Sequence, residues 1–210
     1  MSIATSITRV ATTDDAVDAA RVLGGCRGPG VSARLRDSGL LDLSLAPADG
    51  GVAPSTAAEV VRILAVSHLD IARQVRESLL RGDTAVGHDL VERLLSVAVQ
   101  TGVAAATLYS STGTVRDRRR DGGRPVDDAL RRRIGEATVA VAAAESTLRA
   151  AGDAVDTLRT SADDPDLIRD EAVVSLTTAA VLADRAAGAT VDPGDLARVG
   201  HWTLTGRVDA

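Results

Sequence analysis

The stretch DDALRRRIGEATVAVAAAESTLRAAGDAVDTL, residues 127–158, carries the apolar pattern that decides the fold class. Apolar or small residues recur in it at alternating steps of four and three: Leu130, Ile134, Ala137, Val141, Ala144, Leu148, Ala151, Val155 and Leu158. This spacing keeps side chains on one side of an α-helix, which has about 3.6 residues per turn. The pattern therefore predicts one long helix packed along a single face.

The segment before it predicts a second long helix of the same kind. Several of its periodic positions are small residues that let a neighbouring helix come close: Val91, Leu95, Ala98, Gly102, Ala105 and Tyr109. Between the two helices, the polar stretch 117–128 contains Gly122, Gly123 and Pro125, which end one helix and permit the next to start. Two long helices in series across a short connection predict an antiparallel pair.

A third helix of the bundle is predicted after Asp164 and Pro165. It runs through Glu171 to about Ala187, before Gly188 interrupts the pattern. Because this stretch is rich in Ala and Val on all sides, we expect it to be well buried.

The first third of the chain is less regular. A short helix is predicted from Asp14 to Leu23, followed by a Gly-rich turn at residues 24–30 that lacks the preceding strand and the Lys-Ser/Thr ending of a phosphate-binding loop. Another helix is predicted from about Ser55, because Pro54-Ser55-Thr56 followed by Glu59 resembles an N-terminal capping arrangement. The apolar side of this helix runs through Ala57, Val61, Leu64, Ile71 and Val75.

Composition limits the functions open to the chain. All 24 cationic side chains are Arg, and 29 acidic residues bring the net charge to −5, which argues against general nucleic-acid binding. With no Phe, one Trp and one Tyr, the core must consist of Ala, Val, Leu and Ile, and aromatic platforms are not expected. The single Cys26 excludes an intramolecular disulfide. Lacking a leader or an apolar run near about 18 residues, the sequence predicts a cytoplasmic protein that does not span a membrane.

Four stretches of the chain resemble the acyl-CoA dehydrogenase superfamily. Residues 36–51, RDSGLLDLSLAPADGG, resemble the family's N-terminal signature, and residues 56–72, TAAEVVRILAVSHLDIA, match its next helix. Residues 94–151 are similar to the first two long helices of the family's C-terminal bundle, closest to the subgroup of two-component flavin monooxygenases. The tail at residues 197–207, ARVGHWTLTGR, is similar to the closing segment of that subgroup.

The resemblance implies an all-α helical bundle in two parts: an N-terminal helical region at residues 1–84 and a C-terminal long-helix bundle at residues 85–210. The family's central β-domain, which supplies much of the flavin contact, has no counterpart, because only a short stretch separates Leu79 from Val91. A flavin needs many contacts from an enclosed site to offset the cost of ordering it. We therefore expect a flavin-free protein, with FAD possible only if it is shared with a partner chain.

One turn of the chain resembles part of the family's flavin site. The family turn Arg-x-x-Phe-Gly-x-Pro aligns with residues 119–125, RRDGGRP, which puts Arg119 where the family's Arg reaches the flavin pyrophosphate of a neighbouring subunit. Gly122 replaces the Phe, and Asp121 places a negative charge where a phosphate would lie. Two interpretations of Arg119 stay open: a solvated basic turn that caps helices, and residual anion binding.

No catalytic set is visible in the sequence. The family's catalytic Glu cannot be located by motif, and Glu136 and Glu145 are simply acids on a long helix. The candidate for a catalytic residue is His68, because it falls at the stripe spacing and Asp70 is nearby. The alternative is a hydrogen-bonded core histidine.

The other residues that carry distinctive chemistry are scattered. We expect His88 to be exposed near the shortened junction, and Trp202 to act as a packing anchor in a tail that folds back on the bundle. Three separated His residues and one Cys do not have the spacing of metal ligands, so no metal is expected.

Three functions remain consistent with these features. The first is a degenerate, flavin-free relative of the family that acts as a structural or regulatory partner, pairing through its bundle with itself or with a full-length homologue. The second is a repurposed non-redox enzyme or binding protein that holds an apolar or acyl ligand. The third is an oxidoreductase subunit that borrows FAD from a partner chain. We expect a dimer, because loss of a central domain exposes apolar helix faces that need cover.

Overall fold

Seven α-helices and one 3-10 turn make up the described part of the chain, which contains no β-strand. The computed structural model describes residues 12–45, 51–81, 83–120, 128–160 and 164–188, without the side chains of residues 13 and 118–120. The helices are α1 (Thr13–Gly25), α2 (Val31–Ser38), α3 (Pro54–Ser67), α4 (Leu69–Arg81), α5 (His88–Arg120), α6 (Asp128–Thr160) and α7 (Pro165–Ala187), with the 3-10 turn at Leu40–Asp42. The all-α prediction is confirmed.

The three long helices begin and end close to the predicted positions. α5 and α6 each have 33 residues, and α7 has 23. At the start of α7, the Asp164 carboxylate accepts a hydrogen bond from the Leu167 N–H at 3.3 Å, and Gly188 ends the helix in the left-handed conformation, φ 76°. Both residues have the local chemistry that helix ends require, which is why the sequence located this helix well.

α5 and α6 are antiparallel, as predicted. Gly87, just before α5, lies against Leu158 near the end of α6, whereas Ala105 and Ala144 share a buried cluster farther along both helices. The interval judged too short for a β-domain consists of the end of α4, a connection at residues 82–87 and the start of α5.

One buried cluster draws on residues from both sides of the predicted boundary at 84/85, which falls in the connection between α4 and α5. It includes side chains from α1 to α7, and its largest fully buried members are Leu and Val: Leu23, Leu35, Leu40, Leu64, Leu79, Leu94, Leu95, Leu176, Val60, Val61, Val75 and Val91. A second cluster lies farther along the bundle and consists mostly of Ala: Ala104, Ala105, Leu108, Val141, Ala144, Ala183 and Ala186.

α3 crosses α5 and α6 at two glycines. A Cβ atom on Gly102 would lie 2.5 Å from the Arg62 carbonyl oxygen and 2.6 Å from the Ala65 Cβ. A Cβ atom on Gly152 would lie 3.0 Å from Cα and Cβ of Ser55. The backbone of α3 therefore touches two other helices at positions where no side chain fits, which is consistent with the close approach predicted for Gly102.

The apolar stripe from Ala57 to Val75 does not form one helix, as the sequence suggested, but two. α3 ends at Ser67 and α4 starts at Leu69, with His68 between them in a non-helical conformation, φ −144° and ψ 76°. The His68 N–H donates to the Leu64 carbonyl at 2.7 Å, and its own carbonyl accepts from the Ala72 N–H at 3.0 Å. Because both hydrogen bonds keep the helical spacing, the break leaves the stripe on the same side of the chain.

The predicted burial of the long helices is wrong at their far ends. Tyr109 continues the α5 stripe in sequence, but its side chain is 61% exposed. Leu130, Ile134 and Ala137 at the start of α6 are only half-buried. α3 covers α5 and α6 only at the opposite end of the bundle. The apolar spacing of the two long helices therefore continues beyond the part of the bundle that α3 covers.

α5 is the one described helix that is long and apolar enough to cross a membrane by length and composition, with a mean hydropathy of 1.2. This corrects the expectation that no segment approaches that length. Half of the apolar window is buried inside the protein, where α5 contacts α3, α4, α6 and α7. The contacts are those of a core helix in a bundle.

The crossing at Gly102 predicts a large effect of one added methyl group. Gly102→Ala forces α5 away from α3, and we expect it to lower the free energy of unfolding by about 1–3 kcal/mol. The matched control is Gly113→Ala on the same helix, where a Cβ atom meets no atom within 4 Å. This control should raise stability by about 0.5–1 kcal/mol through helix propensity. Urea denaturation of both variants measures the difference, and equal effects would contradict the close crossing.

Candidate functional site

A groove runs along the first half of α6, between α5 and α7. It has a volume of about 1110 Å³ and opens to solvent. We name it the bundle groove. The residues that line it are Thr107, Leu108, Ser111, Leu130, Arg132, Arg133, Ile134, Gly135, Glu136, Ala137, Val139, Ala140, Ala143, Leu182, Arg185, Ala186, Ala187 and Gly188. Most of these residues are apolar or small.

The groove forms because α6 extends past the helices that cover its second half. There, Leu148, Ala151 and Val155 belong to the larger core cluster. The first half packs on the smaller, Ala-rich cluster with α5 and α7. Since Ala side chains fill little of the space between helices, a surface depression remains beside them.

An exposed valine lies on the wall of the groove. Val139 is 70% exposed, and its neighbours Ile134 and Ala140 in the lining are half-buried. Exposed apolar surface on the wall of a groove is surface on which another apolar group can be buried. The groove can therefore take an apolar ligand or an apolar segment of a polypeptide.

The polar rim of the groove is mainly cationic. Arg132 and Arg133 of α6 and Arg185 of α7 line it, against one acid, Glu136. No ion pair within the described part of the chain involves these three arginines, whereas the adjacent Arg131 pairs with Asp128 at 3.0 Å. The rim therefore presents positive charge to whatever enters the groove.

A buried ion pair closes the opposite end of the bundle. Arg159 Nη2 donates to Asp83 Oδ2 at 2.5 Å, and their side chains are 8% and 3% exposed. Arg159 Nη1 also donates to the Leu45 carbonyl at 3.2 Å, and His88 Nδ1 lies 3.1 Å from Asp83 Oδ2. His88 is 43% exposed. Moving the α4–α5 connection away from α6 would leave the buried charges of Asp83 and Arg159 unpaired, which is costly. The ion pair therefore holds the connection against α6.

A second ion-pair cluster joins α3 to α6. Arg62 makes two hydrogen bonds to Glu59, both at 2.8 Å, and a third to Glu145 Oε1 at 2.6 Å. The hydrogen bonds that Arg62 donates to the Glu59 carboxylate are the main cause that raises the pKa of Arg62, against the opposing effect of burial. Glu145 is thus committed to a structural pair.

The start of α3 is capped by a residue from α6. The predicted capping arrangement at Ser55 and Glu59 is wrong: Ala53 is the N-cap and makes no side-chain hydrogen bond. Instead, Asp156 accepts from the Ser55 N–H at 3.1 Å and from the Ser55 hydroxyl at 2.5 Å. Burial raises the pKa of the Asp156 carboxyl above its ordinary 3.8, while the two Ser55 hydrogen bonds oppose the shift.

His68, the sequence candidate for catalysis, lies between α3 and α4 and not in the bundle groove. Its Nε2 atom is 3.1 Å from the Cys26 carbonyl oxygen, and its ring is partly buried. Asp70, expected nearby, is exposed on α4 and is not hydrogen-bonded to the His68 ring. The ring ties the end of α1 to the α3–α4 break, and no second titratable side chain of the described chain is hydrogen-bonded to it.

The remaining predicted site residues are dispersed. Glu136 is exposed in the bundle groove, and Arg119 lies in the last turn of α5, with its side chain outside the described residues. The turn at residues 121–127 and Trp202 also lie outside the described residues. Within the described residues, no three His, Cys, Asp or Glu side chains are grouped as metal ligands.

Sequence reasoning missed the polar contacts between helices and the groove itself. Asp83, Arg159, Arg62 and Asp156 meet partners that are far away in sequence, so no local motif identifies them. The sequence does contain a signal for the groove. Small residues recur along the first half of α6 and leave space beside it: Gly135, Ala137, Ala140 and Ala143.

Comparisons of the chain with family models, curated proteins and solved structures give no match. The groove and the polar clusters are therefore interpreted from their own geometry.

The Asp156 cap predicts a pH-dependent stability. Because the pKa of the Asp156 carboxyl is raised in the folded state, the folded protein binds the proton of this carboxyl more tightly than the unfolded chain does. Protonation of Asp156 therefore stabilises the fold at low pH, and this stabilisation is lost as the pH rises through the range above 3.8. We expect the wild type to gain stability relative to Asp156→Asn as the pH falls into that range. Urea denaturation at a series of pH values measures the difference.

The control for this prediction is Ser55→Ala. Removing the hydroxyl eliminates a hydrogen bond that favours the carboxylate, so the range over which stability changes should move to higher pH. A stability difference between the wild type and Asp156→Asn that is constant with pH would contradict the prediction.

Proposed function

We propose that this chain is a flavin-free, acyl-CoA dehydrogenase-like helical protein that acts as a structural or regulatory partner. In this proposal, the bundle groove takes an apolar helical segment of another polypeptide. The observation that carries the proposal is the open, mostly apolar groove of about 1110 Å³ with Val139 exposed on its wall.

The shape of the groove favours a polypeptide over a small molecule. Small-molecule sites have volumes of about 300–1000 Å³ and enclose most of the ligand. The volume of the bundle groove, about 1110 Å³, lies just above that range, and the groove is open along α6. Its lining on α6 spans Leu130 to Ala143, which corresponds to about 20 Å at about 1.5 Å per helical residue. A helix of three to four turns fits that length.

The titratable residues support a binding role over catalysis. His68 is bonded to a backbone carbonyl, and His88 and Glu145 take part in polar clusters that hold helices together. None of these three residues lines the bundle groove. Catalysis requires an activated nucleophile or base next to the place where a ligand binds, whereas the acid that does line the groove, Glu136, is exposed to solvent.

A second candidate function is binding of an apolar or acyl ligand in the same groove. The specific observation that favours it is the combination of an apolar lining with Arg132, Arg133 and Arg185, which can pair with a carboxylate or phosphate head group. Displacement of a fluorescent fatty acid from the full chain, with no binding of helical peptides, would favour this candidate.

The flavin-free part of the proposal predicts a colourless protein. Where a flavin-binding domain would have to lie, the chain has only six residues between the end of α4 at Arg81 and the start of α5 at His88. We expect purified protein to release no stoichiometric flavin fluorescence on denaturation. Release of about one flavin per chain would contradict this and favour retention or sharing of FAD.

The groove itself is tested by two exposed valines. Val139 lies in the bundle groove, and Val86 lies in the α4–α5 connection, and they are 70% and 74% exposed. We expect Val139→Asp to weaken binding of a labelled amphipathic helical peptide of about 14 residues by at least about tenfold, because a charge is placed on the apolar wall. Val86→Asp should leave binding unchanged.

Fluorescence anisotropy of the labelled peptide with the full chain measures both affinities. Because both valines are exposed, both variants should keep the free energy of unfolding within about 0.5 kcal/mol of the wild type. Equal effects of the two substitutions on binding would mean that the groove is not the binding site.

A further inference from the structure

We infer that the partner of the bundle groove is an acidic amphipathic helix, whose carboxylates pair with Arg132, Arg133 and Arg185. The inference rests on the proposed function of the groove as a polypeptide-binding site. It adds the chemistry of the partner, which the apolar lining alone does not specify.

The charge of the chain is unevenly distributed in a way that supports this inference. Residues 116–133 contain eight Arg and four Asp, although the whole chain has a net charge of −5. This stretch includes the end of α5 and the start of α6, which are adjacent because the two helices are antiparallel. A cationic end on an anionic protein attracts an acidic partner to one place on its surface.

Two arginines of this stretch lie in the described lining of the groove. Arg132 and Arg133 are exposed at the start of α6, and Arg185 faces the same groove from the end of α7. Among the described residues that line the groove, Glu136 is the only acid. A helix lying in the groove would therefore have arginines from two neighbouring helices beside its polar edges, where Glu or Asp side chains can reach them.

A helix is the conformation that suits this site. A segment that enters an apolar groove must satisfy its own backbone hydrogen bonds, and the described lining residues are helical apart from Gly188, which follows α7. An amphipathic helix does so and presents an apolar face at spacings of three and four residues. Its polar edges stay at the rim.

Two grooves facing each other in a symmetric dimer would be unfavourable. Such an arrangement places Arg132, Arg133 and Arg185 of one copy opposite the same three residues of the other. Like charges brought together at an interface weaken the association unless anions separate them. The charge of the rim therefore favours a partner of opposite charge over a second copy in that orientation.

The test uses two synthetic helical peptides of about 14 residues with the same Leu/Ala face. One carries Glu and the other Lys at the positions beside that face. We expect the full chain to bind the Glu peptide at least about tenfold more tightly than the Lys peptide at low ionic strength, and the difference to shrink as salt is added.

The decisive variant combines Arg132→Gln, Arg133→Gln and Arg185→Gln. It should remove most of the preference for the Glu peptide while leaving the chain folded, because these side chains are exposed. The control combines Arg21→Gln, Arg73→Gln and Arg81→Gln, exposed positions on α1 and α4 outside the groove. The control changes the net charge by the same amount and should keep the preference.

The possible results separate this inference from the proposed function. Equal binding of both peptides, weakened by Val139→Asp, would overturn the acidic partner but support the groove as a polypeptide site. Binding of neither peptide would overturn both. A dimer in light scattering that dissociates in Val139→Asp would identify a second copy as the occupant and would overturn the acidic partner.

Discussion

The close contact of α3 with α5 and α6 is the constraint on which the rest of the structure depends. With no Phe and a core of Ala, Val, Leu and Ile, the protein cannot fill space between helices with large side chains, so the helices must approach each other. Gly102 and Gly152 permit that approach by removing side chains where α3 crosses its neighbours. At the crossing with α6, Ser55 of α3 reaches Asp156. Arg62, whose carbonyl oxygen lies against Gly102 of α5, reaches Glu145 of α6 with its side chain. Tight apolar packing thus positions the polar contacts.

The same packing explains why only one end of the bundle is covered. α3 packs on α5 and on the second half of α6, and α1 packs on α3. At this end the buried pair Arg159–Asp83 fastens the α4–α5 connection. The opposite end is left to α5, α6 and α7, which meet through alanines. Small side chains suit a close helical pair, but among three helices they leave a groove. The groove therefore forms because α5, α6 and α7 meet at this end through alanines, which are too small to fill the space between three helices.

The sequence predicted helix ends well where they are specified locally, and poorly where they depend on another helix. Asp164 and Gly188 bound α7 because a cap residue and a glycine act within one turn. The break at His68 has no such marker, since the apolar spacing continues through it and only the contact with the Cys26 carbonyl shows its role. Likewise, Ser55 has the composition of a capping residue, but its actual partner, Asp156, lies 101 positions away. The exposed side chain of Tyr109 shows that apolar periodicity predicts which side of a helix is apolar, but not how much of that side is covered by other helices.

The charge pattern of the groove depends on which part of α6 is covered by other helices. Where α6 is covered, its charged residues pair across helices, as Glu145 does with Arg62 and Arg159 with Asp83. Where it is uncovered, Arg132 and Arg133 face solvent beside apolar surface, and no described ion pair neutralises them. Desolvating such charges on binding is costly unless the ligand supplies an opposite charge. Under the proposed function, the unneutralised rim therefore makes the groove select partners by charge, while its apolar lining supplies the apolar contact.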